Sequence, residues 1–367
     1  MRYYIIAGEA SGDLHGSNLI KALREKDEKA KIRCWGGNLM EQAGATLVKH
    51  YRELAFMGFV EVAAHLNTIL KNISFCKKDI AAYKPDVVVL IDYPGFNLRI
   101  AEWAHENDFK VCYFISPQVW AWKENRVKKI RRCVDKMMVI LPFEKDFYKK
   151  WGYEVDYVGH PLADVVKKAK AGGPGAPISN EKIIALLPGS RKQEILKKLP
   201  VMLKMVEHFP EFSFVIAQAP HQEDSLYKNI ISRFPDRNIL SVKDRTYDLL
   251  QQAEAALVTS GTATLETALF GLPQVVCYTA NPVSYLLAKN FIKVNYISLV
   301  NLILDKKAVP ELIQSDLNEK KLYHALSSIL QGEKRIQQLK DYKKLQEILD
   351  EGGASEKAAS SIIHFLH

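Results

Sequence analysis

The chain has 367 residues, of which 48% are hydrophobic and 25% are charged. This composition is ordinary for a globular protein and excludes large-scale disorder, while the length favours about two domains. The formal net charge of +9 favours anionic partners such as nucleic acids, acidic lipid headgroups or phosphorylated metabolites. By itself the charge does not select among them.

The cysteine pattern and the lengths of the apolar runs indicate where the protein is located. The five cysteines are scattered and never spaced as Cys-x-x-Cys, which indicates a reducing cytosol and argues against a structural zinc site. The N terminus enters an apolar run at Tyr3 without a signal-peptide pattern, and no run approaches the roughly 20 residues of a membrane span. We therefore expect a cytoplasmic protein whose contact with a membrane is at most peripheral.

Short apolar runs alternate with helical periodicity from the N terminus onward. The predicted strands are residues 3–7, 87–91, 111–115 and 136–140, and helices are expected from about Ser17 and about Leu98. This alternation is typical of β-α-β units and predicts a parallel sheet. Residues 1–168 are therefore the predicted first domain, a doubly wound α/β unit.

A segment rich in Gly, Pro and Lys, residues 169–181, predicts an interdomain linker. The alternation then restarts, with predicted strands at 183–187, 212–217, 239–242, 255–259 and 274–278. A second α/β domain is predicted over residues 182–345. Ligands of such domains bind at the carboxyl ends of the strands, so we expect the site in the crevice between the two domains.

Two strand ends in the second domain carry loops suited to a diphosphate. Ser260-Gly261-Thr262 opens a helix, so small side chains would expose backbone N–H groups to an anion, and Glu266 could accept from ribose hydroxyls. Gly189-Ser190-Arg191 ends another strand, where a guanidinium could clamp a diphosphate. A capped turn and a surface arginine are the structural alternatives. Together the two loops favour a nucleotide diphosphate donor.

Polar loops also follow three predicted strands of the first domain. Gly8-Glu9-Ala10-Ser11-Gly12-Asp13 is predicted to contact a sugar or phosphate, with a structural turn as the alternative. Asp92 ends a buried strand, where it could accept a proton from a hydroxyl nucleophile or merely start a Pro-Gly turn. Gln118 and Trp120 follow a third strand and could contact a sugar or acyl chains, with interdomain packing as the alternative.

The sequence contains no Asp-x-Asp motif and no histidine cluster with metal-ligand spacing. We therefore expect neither a metal nor a cofactor, and we expect Arg191 and helix N termini to meet the charge of a leaving group. The basic segment 126–132 is either a solvated face or a surface for acidic headgroups. Because no nucleic-acid module accompanies it, no nucleic-acid partner is predicted.

Residues 56–70 form an amphipathic stretch with an apolar face at helical spacing. Phe56, Met57, Phe59 and Val60, with lysines close behind, suggest an interfacial membrane patch. Packing of the same face into a core is the alternative.

Seven motifs in order resemble the lipid A disaccharide synthase family, glycosyltransferase family 19, over nearly the whole chain. The motifs are Gly8-Glu9-Ala10-Ser11-Gly12-Asp13, Asp92-Tyr93-Pro94-Gly95-Phe96-Asn97, Pro117-Gln118-Val119-Trp120-Ala121-Trp122, Val158-Gly159-His160-Pro161-Leu162, Leu187-Pro188-Gly189-Ser190-Arg191, Thr259-Ser260-Gly261-Thr262 and Asn295-Tyr296-Ile297-Ser298-Leu299-Val300-Asn301. The resemblance implies a GT-B glycosyltransferase fold, with two Rossmann-like doubly wound domains facing a cleft and C-terminal helices crossing back to the first domain. A helix within residues 346–367 would then pack on the first domain, and its exchange within a homodimer stays open.

The resemblance also implies an activity. UDP-2,3-diacylglucosamine would be the donor and 2,3-diacylglucosamine 1-phosphate the acceptor, with inversion giving a β-1,6-linked lipid A disaccharide 1-phosphate and UDP. Asp92 would be the base for the acceptor 6-hydroxyl, and Arg191, residues 260–262, Glu266 and Asn301 would lie at the donor site. Both substrates carry acyl chains, which favours peripheral contact with the inner face of the cytoplasmic membrane.

Departures from the family pattern at Gln118 and Gly95 leave acceptor-side details open. Two other functions stay open as well. One is an enzyme of the same fold that resembles UDP-N-acetylglucosamine 2-epimerases, and the other is a non-enzymatic module that binds nucleotide sugars or lipids.

Overall fold

The computed structural model describes residues 1–53, 66–122, 124–235, 237–280, 295–349 and 352–367. The chain divides into two units, one made of Met1–Pro161 with Glu351–His367 and the other of Leu162–Asp350. The predicted membrane patch of Phe56, Met57, Phe59 and Val60 lies outside the described residues.

The first unit contains a parallel sheet of seven strands in the order β3-β2-β1-β4-β5-β6-β7. The strands are β1 Arg2–Ala7, β2 Lys31–Gly36, β3 Thr46–His50, β4 Val87–Ile91, β5 Val111–Phe114, β6 Lys136–Val139 and β7 Asp156–Tyr157. The helices are α1 Ala10–Lys26, α2 Asn38–Gln42, α3 Leu66–Tyr83, α4 Pro94–Glu106, α5 Val119–Trp122, α6 Arg126–Cys133, α7 Pro142–Lys149 and, near the C terminus, α16 Ala354–Leu366. The predicted parallel sheet is thereby confirmed.

Strand β4 is buried on both faces, as its continuous apolar run predicts. Val88 and Leu90 pack into one hydrophobic cluster, and Val87, Val89 and Ile91 pack into another on the opposite face. β1 pairs with β2 on one side and with β4 on the other, so the strand order reverses between β1 and β4. Such a reversal is where ligands bind in open α/β sheets.

Helix α1 begins at Ala10, well before the expected start near Ser17. Ser11, Gly12 and Asp13 therefore belong to its first turns, and the prediction of a loop there is wrong. The close approach of helix and strand is visible at Gly12, where an added Cβ would lie 3.0 Å from the Cβ of Ala7. Gly8 has a similar constraint, because an added Cβ would overlap the ring of Tyr93.

The carboxylate of Asp13 forms hydrogen bonds within the protein and does not face a ligand site. The side chain is only 4% exposed. Its oxygens accept from the backbone N–H groups of Gly37, Leu39 and Met40 at 2.8, 3.2 and 3.0 Å. These donors lie at the start of α2, where a helix has unpaired N–H groups that a carboxylate can satisfy. The predicted acceptor-side contact of Asp13 is therefore corrected to the capping of α2.

The second unit contains a parallel sheet of six strands in the order β10-β9-β8-β11-β12-β13. The strands are β8 Lys182–Leu187, β9 Phe212–Gln218, β10 Ile239–Lys243, β11 Ala253–Thr259, β12 Gln274–Tyr278 and β13 Glu311–Ile313. The helices are α8 Pro161–Ala171, α9 Lys192–Leu203, α10 Asp224–Ile231, α11 Thr246–Gln252, α12 Thr262–Leu269, α13 Leu299–Leu304, α14 Glu319–Leu330 and α15 Glu333–Leu349. Here the strand order reverses between β8 and β11, which pair directly.

The ends of the second unit differ in detail from the predicted boundaries. Helix α8 covers the first three residues of the predicted linker, and residues 172–181 contain neither helix nor strand. The last helix, α16, belongs to the first unit although it follows the second in sequence. Its Ala358, Ala359 and Ile362 share a hydrophobic cluster with residues of α1 such as Leu23.

In the described part of the chain, no helix is both long and apolar enough to cross a membrane. Within the same residues, no group of three His, Cys, Asp or Glu side chains is placed to hold a metal ion.

We expect Asp13→Ala to lower the thermal midpoint of unfolding, because three N–H donors around α2 lose their acceptor, at a cost of about 2–4 kcal/mol. Differential scanning fluorimetry measures the change, and Glu25→Ala removes an exposed carboxylate from the same helix as a control. An unaltered midpoint in Asp13→Ala would contradict the capping role of this carboxylate.

Candidate functional site

Asp92 directly follows β4, beside the strand reversal of the first sheet. Asp92 and Tyr93 both adopt left-handed backbone angles, with φ of +43° and +50°. This conformation is unfavourable for residues other than glycine. The carbonyl of Asp92 accepts from Nδ2 of the buried Asn97 at 2.8 Å and from the Tyr113 hydroxyl at 2.5 Å. These two bonds fix the backbone that carries the carboxylate.

The electrostatics of Asp92 suit a base that works near neutral pH. Burial, together with the smaller effect of the nearby negative charge of Glu9, raises the pKa of its carboxyl from 3.8 to about 6. A hydrogen bond from the Tyr93 backbone opposes the shift. A carboxylate with a pKa close to the working pH combines a useful deprotonated fraction with a useful proton affinity.

Asp92 lines a cavity of about 320 Å³ within the first unit. The other lining residues are Pro94, Ile115, Ser116, Gln118, Ile140, Leu141 and Glu144. The structure therefore places Gln118 in the same cavity as Asp92, and its acceptor-side role stays a prediction. Apolar walls with a few convergent polar groups are typical of small-molecule sites.

Trp120 does not line this cavity with its indole ring. The side chain is 7% exposed and packs edge-on against Phe143, with ring centroids 4.9 Å apart. Its Nε1 donates to Glu144 at 3.3 Å. The prediction of a direct acceptor contact is corrected to packing within the first unit, which holds the loop that carries Gln118.

Glu144 is a buried acid of the cavity that the sequence analysis missed. Its carboxylate accepts from the backbone N–H groups of Leu141 and Ile140 at 2.9 and 3.3 Å. Burial raises its pKa from 4.5 to about 7, and these hydrogen bonds oppose the shift. Proline at the first helical position and glutamate at the third are a recognisable signal, of which the glutamate is one half of a capping box, since Leu141 at the N-cap has no side-chain acceptor. That signal indicates a helix start and does not indicate a cavity.

The basic segment 126–132 lies in α6, and much of its charge is already paired. Lys129 and Arg132 form ion pairs with Glu102 at 2.6 and 2.5 Å, and Arg131 donates to the carbonyl of Trp151. These contacts favour the solvated, structural face over a surface for headgroups.

In the second unit, the turn after β11 is open to an anion. Gly261 has φ of +143°, which only glycine adopts readily, and an added Cβ there would meet no atom within 4 Å. Among the described residues no side chain caps α12, which begins at Thr262. Ser260 donates its hydroxyl to the carbonyl of Ile297 at 2.9 Å and so fixes the turn. Helix N termini of this kind bind phosphates.

Gly189-Ser190-Arg191 follows β8, the strand next to β11, so the two predicted donor loops lie at the same sheet edge. Gly189 has φ of +115°, and an added Cβ would collide with the carboxylate of Glu194. Arg191 is exposed at the start of α9. Both loops therefore lie at one edge of the sheet, and their role in binding a diphosphate stays a prediction.

Glu266 lies one turn into α12, where burial raises the pKa of its carboxyl. Its Oε1 accepts from the Tyr247 hydroxyl at 2.9 Å, which orients the side chain. A fixed carboxylate at this place is compatible with a ribose contact.

Asn301 is fully buried, and both ends of its amide are used inside the protein. Nδ2 donates to the Val309 carbonyl and to Glu311 at 3.0 and 2.9 Å, and Oδ1 accepts from the Val309 N–H at 2.9 Å. The direct donor contact implied by the resemblance is thus corrected to a supporting role.

Glu311, at the start of β13, organises the segment that touches the phosphate-directed turn. It accepts from the Ser298 hydroxyl and backbone N–H at 2.7 and 2.9 Å and from the Ile297 N–H at 3.2 Å. The carbonyl of Ile297 is the acceptor for Ser260. No sequence pattern singled out Glu311, because these partners are joined only through tertiary contacts.

Two parallel α/β sheets with polar groups at each strand reversal are the architecture of the GT-B fold. The UDP-GlcNAc 2-epimerase from Neisseria meningitidis, solved bound to UDP-GlcNAc, matches with a TM-score of 0.66 and 13% identity over 100% of this chain and 99% of that chain. The glycotransferase of kitacinnamycin matches with a TM-score of 0.66 and 12% identity over 100% and 98%. At these identities the likeness shows the fold alone.

Sequence comparison is more specific. The family model described as Lipid-A-disaccharide synthetase matches residues 3–364. The lipid-A-disaccharide synthase of Syntrophus aciditrophicus is 39% identical over 97% of this chain and 95% of the relative, and that of Geobacter metallireducens is 37% identical over 100% and 97%. The chain belongs to the lipid-A-disaccharide synthetase family and is a glycosyltransferase, which confirms the resemblance drawn from the motifs.

We expect Glu144→Gln to change the pH dependence of stability. The folded protein holds the Glu144 proton more tightly than the unfolded chain, so the stability that this carboxyl contributes declines as pH rises from about 4.5 through about 7. Glutamine keeps the cap but cannot titrate. Between pH 5 and pH 8 the free energy of unfolding of the variant, measured by urea unfolding, should rise by about 2–3 kcal/mol relative to that of the wild type. Glu106→Gln, at an exposed site, is the control. The same pH dependence of stability in Glu144→Gln and in the wild type would contradict the assignment.

Proposed function

We propose that the protein transfers the diacylglucosaminyl group of UDP-2,3-diacylglucosamine to the 6-hydroxyl of 2,3-diacylglucosamine 1-phosphate. The products are the β-1,6-linked lipid A disaccharide 1-phosphate and UDP. The observation that carries the proposal is Asp92, a carboxylate with a pKa raised to about 6 at the strand reversal of the first sheet, lining a cavity. Family membership supports the same reaction.

The reaction is a single displacement. The Asp92 carboxylate accepts the proton of the acceptor 6-hydroxyl as that oxygen forms a bond to the anomeric carbon of the donor. The bond from that carbon to the β-phosphate oxygen breaks, and its electron pair leaves with UDP. Attack from the face opposite the leaving group inverts the anomeric centre. One base suffices, because no covalent intermediate forms.

Donor binding is assigned to the second unit. Arg191 and the Ser260–Thr262 turn would meet the diphosphate charge, which builds on the leaving group. The fixed Glu266 carboxylate would accept from ribose hydroxyls. Because the sequence has no Asp-x-Asp motif and Arg191 can meet the diphosphate charge, we infer a metal-independent transferase without a cofactor.

We also propose peripheral contact with the inner face of the cytoplasmic membrane. Both proposed substrates carry acyl chains, so the active enzyme must reach a lipid surface. On helix α3, the side chains of Leu70 and Phe75 are 51% and 48% exposed. Lys71 and Lys78 are exposed close by, and this combination suits a membrane surface with acidic headgroups. Homodimer formation stays a prediction from the resemblance.

The first test is UDP release by the purified protein, with both proposed substrates in detergent micelles containing EDTA. Release that requires the acceptor supports a metal-independent transferase. Conversion of UDP-N-acetylglucosamine to its 2-epimer would favour the epimerase alternative. UDP binding without turnover on either substrate would favour a binding module.

Asp92→Asn should lower the acceptor-dependent rate of UDP release by a factor of about 10²–10⁴, because the amide cannot take the hydroxyl proton. UDP affinity, measured by calorimetry, should stay at the wild-type value. Asp108→Asn is a matched control, since Asp108 is exposed and also has a left-handed φ, of +61°. Equal activity of the two variants would remove Asp92 from the reaction.

The pH profile gives a separate prediction. The base is active when deprotonated, so kcat/KM should rise with pH through about 6 and level off above it. Glu9 raises the pKa of Asp92 through its negative charge, so Glu9→Gln should move this limb to lower pH. A limb that stays in place in this variant would show that another group controls the rate.

A further inference from the structure

Lys198, in the middle of α9, is a buried lysine that the reaction described above does not use. Its side chain is 1% exposed. Its Nζ donates to the hydroxyl of Thr259 and lies 5.8 Å from the ring centroid of Tyr278. Glu194 is the acidic group whose charge acts on it, and within the described residues no ion pair joins the two side chains. Lysine is almost never fully buried unless it is paired, so this amine needs an explanation.

The position of Lys198 points toward the donor loops. Thr259, its hydrogen-bond partner, is the last residue of β11 and directly precedes Ser260-Gly261-Thr262. Arg191 starts the same helix and lies close enough for its charge to lower the pKa of Lys198. Two cations therefore lie near one sheet edge, and the charge of each disfavours the charge of the other.

The surroundings offset this charge only in part. Burial lowers the pKa of Lys198, whereas the negative charge of Glu194 raises it. The thiol of Cys277 in β12 is also nearby, and burial raises its own pKa to about 12, so it stays neutral. A methionine of similar length would fill the same space without the cost of desolvating an amine.

We propose that Lys198 is a specificity-determining residue of the donor site, which positions Thr259 and supplies positive charge beneath the phosphate-directed turn. The inference rests on the proposed function and deepens it. The ligand class that this charge selects is the nucleoside diphosphate over the uncharged nucleoside. Arg191 binds the diphosphate from the exposed side. Lys198 stabilises the diphosphate through its buried positive charge and through Thr259, which precedes the turn.

The test compares affinities for uridine and UDP, measured by isothermal titration calorimetry on the full-length protein. Lys198→Met should weaken UDP binding about tenfold or more and leave uridine binding within about twofold, because only UDP carries the charge that the lysine favours. Lys197→Met is the matched control, since it removes the same charge from an exposed position of the same helix. It should bind both ligands as the wild type does.

The outcomes separate this inference from the function on which it rests. Wild-type protein that fails to bind UDP would overturn the donor assignment itself. Wild-type UDP binding that persists in Lys198→Met would overturn only the role of Lys198. An equal loss for uridine and UDP would show a purely structural lysine.

A second variant covers failure of Lys198→Met to fold. Thr259→Val keeps the buried amine and the shape of the strand end but removes its hydroxyl partner. It should weaken UDP binding more than uridine binding. A loss that is the same for both ligands would count against the proposal.

Discussion

The pairing of two central parallel strands in each unit is the constraint on which the site depends. β1 pairs with β4 in the first sheet, and β8 pairs with β11 in the second. At each of these pairs the following helices leave toward opposite faces, so the loops at the strand ends diverge and leave space for a ligand. Asp92 follows one such pair, and the Ser260–Thr262 turn follows the other. The chemistry is thus placed by backbone hydrogen bonding between strands.

The same geometry accommodates energetically unfavourable groups at or near the strand ends. Asp92 has a strained backbone, and its pKa is raised by burial and by Glu9. Glu144 is a buried acid and Lys198 is a buried base. The burial of each lowers the stability of the fold unless a proton, a hydrogen bond or a ligand compensates. The hydrophobic clusters on both faces of each sheet hold these groups in place. Rigid strands thus support a site that would be unstable on a free loop.

Supporting residues matter as much as the residues that would touch a ligand. Asn97 and Tyr113 hold the carbonyl of Asp92, whereas Glu311 holds the segment that anchors Ser260. Apart from Asn97, which lies five residues from Asp92, these partners are 13 or more residues apart in sequence, so their roles follow from the fold. Asp13 and Asn301 illustrate the reverse case, because motif membership suggested ligand contacts while the structure gives both side chains internal partners.

The sequence by itself determined the alternation of strands and helices, the two sheets, the family and the strand-end position of Asp92. Apolar runs and small-residue turns are local patterns, and local patterns determine secondary structure and strand ends. Only the tertiary structure decided that Glu144 shares the cavity of Asp92, that Trp120 packs inward, and that Lys198 lies beneath the donor turn. Burial and pKa depend on atoms brought together from distant parts of the chain, and no local pattern encodes that proximity.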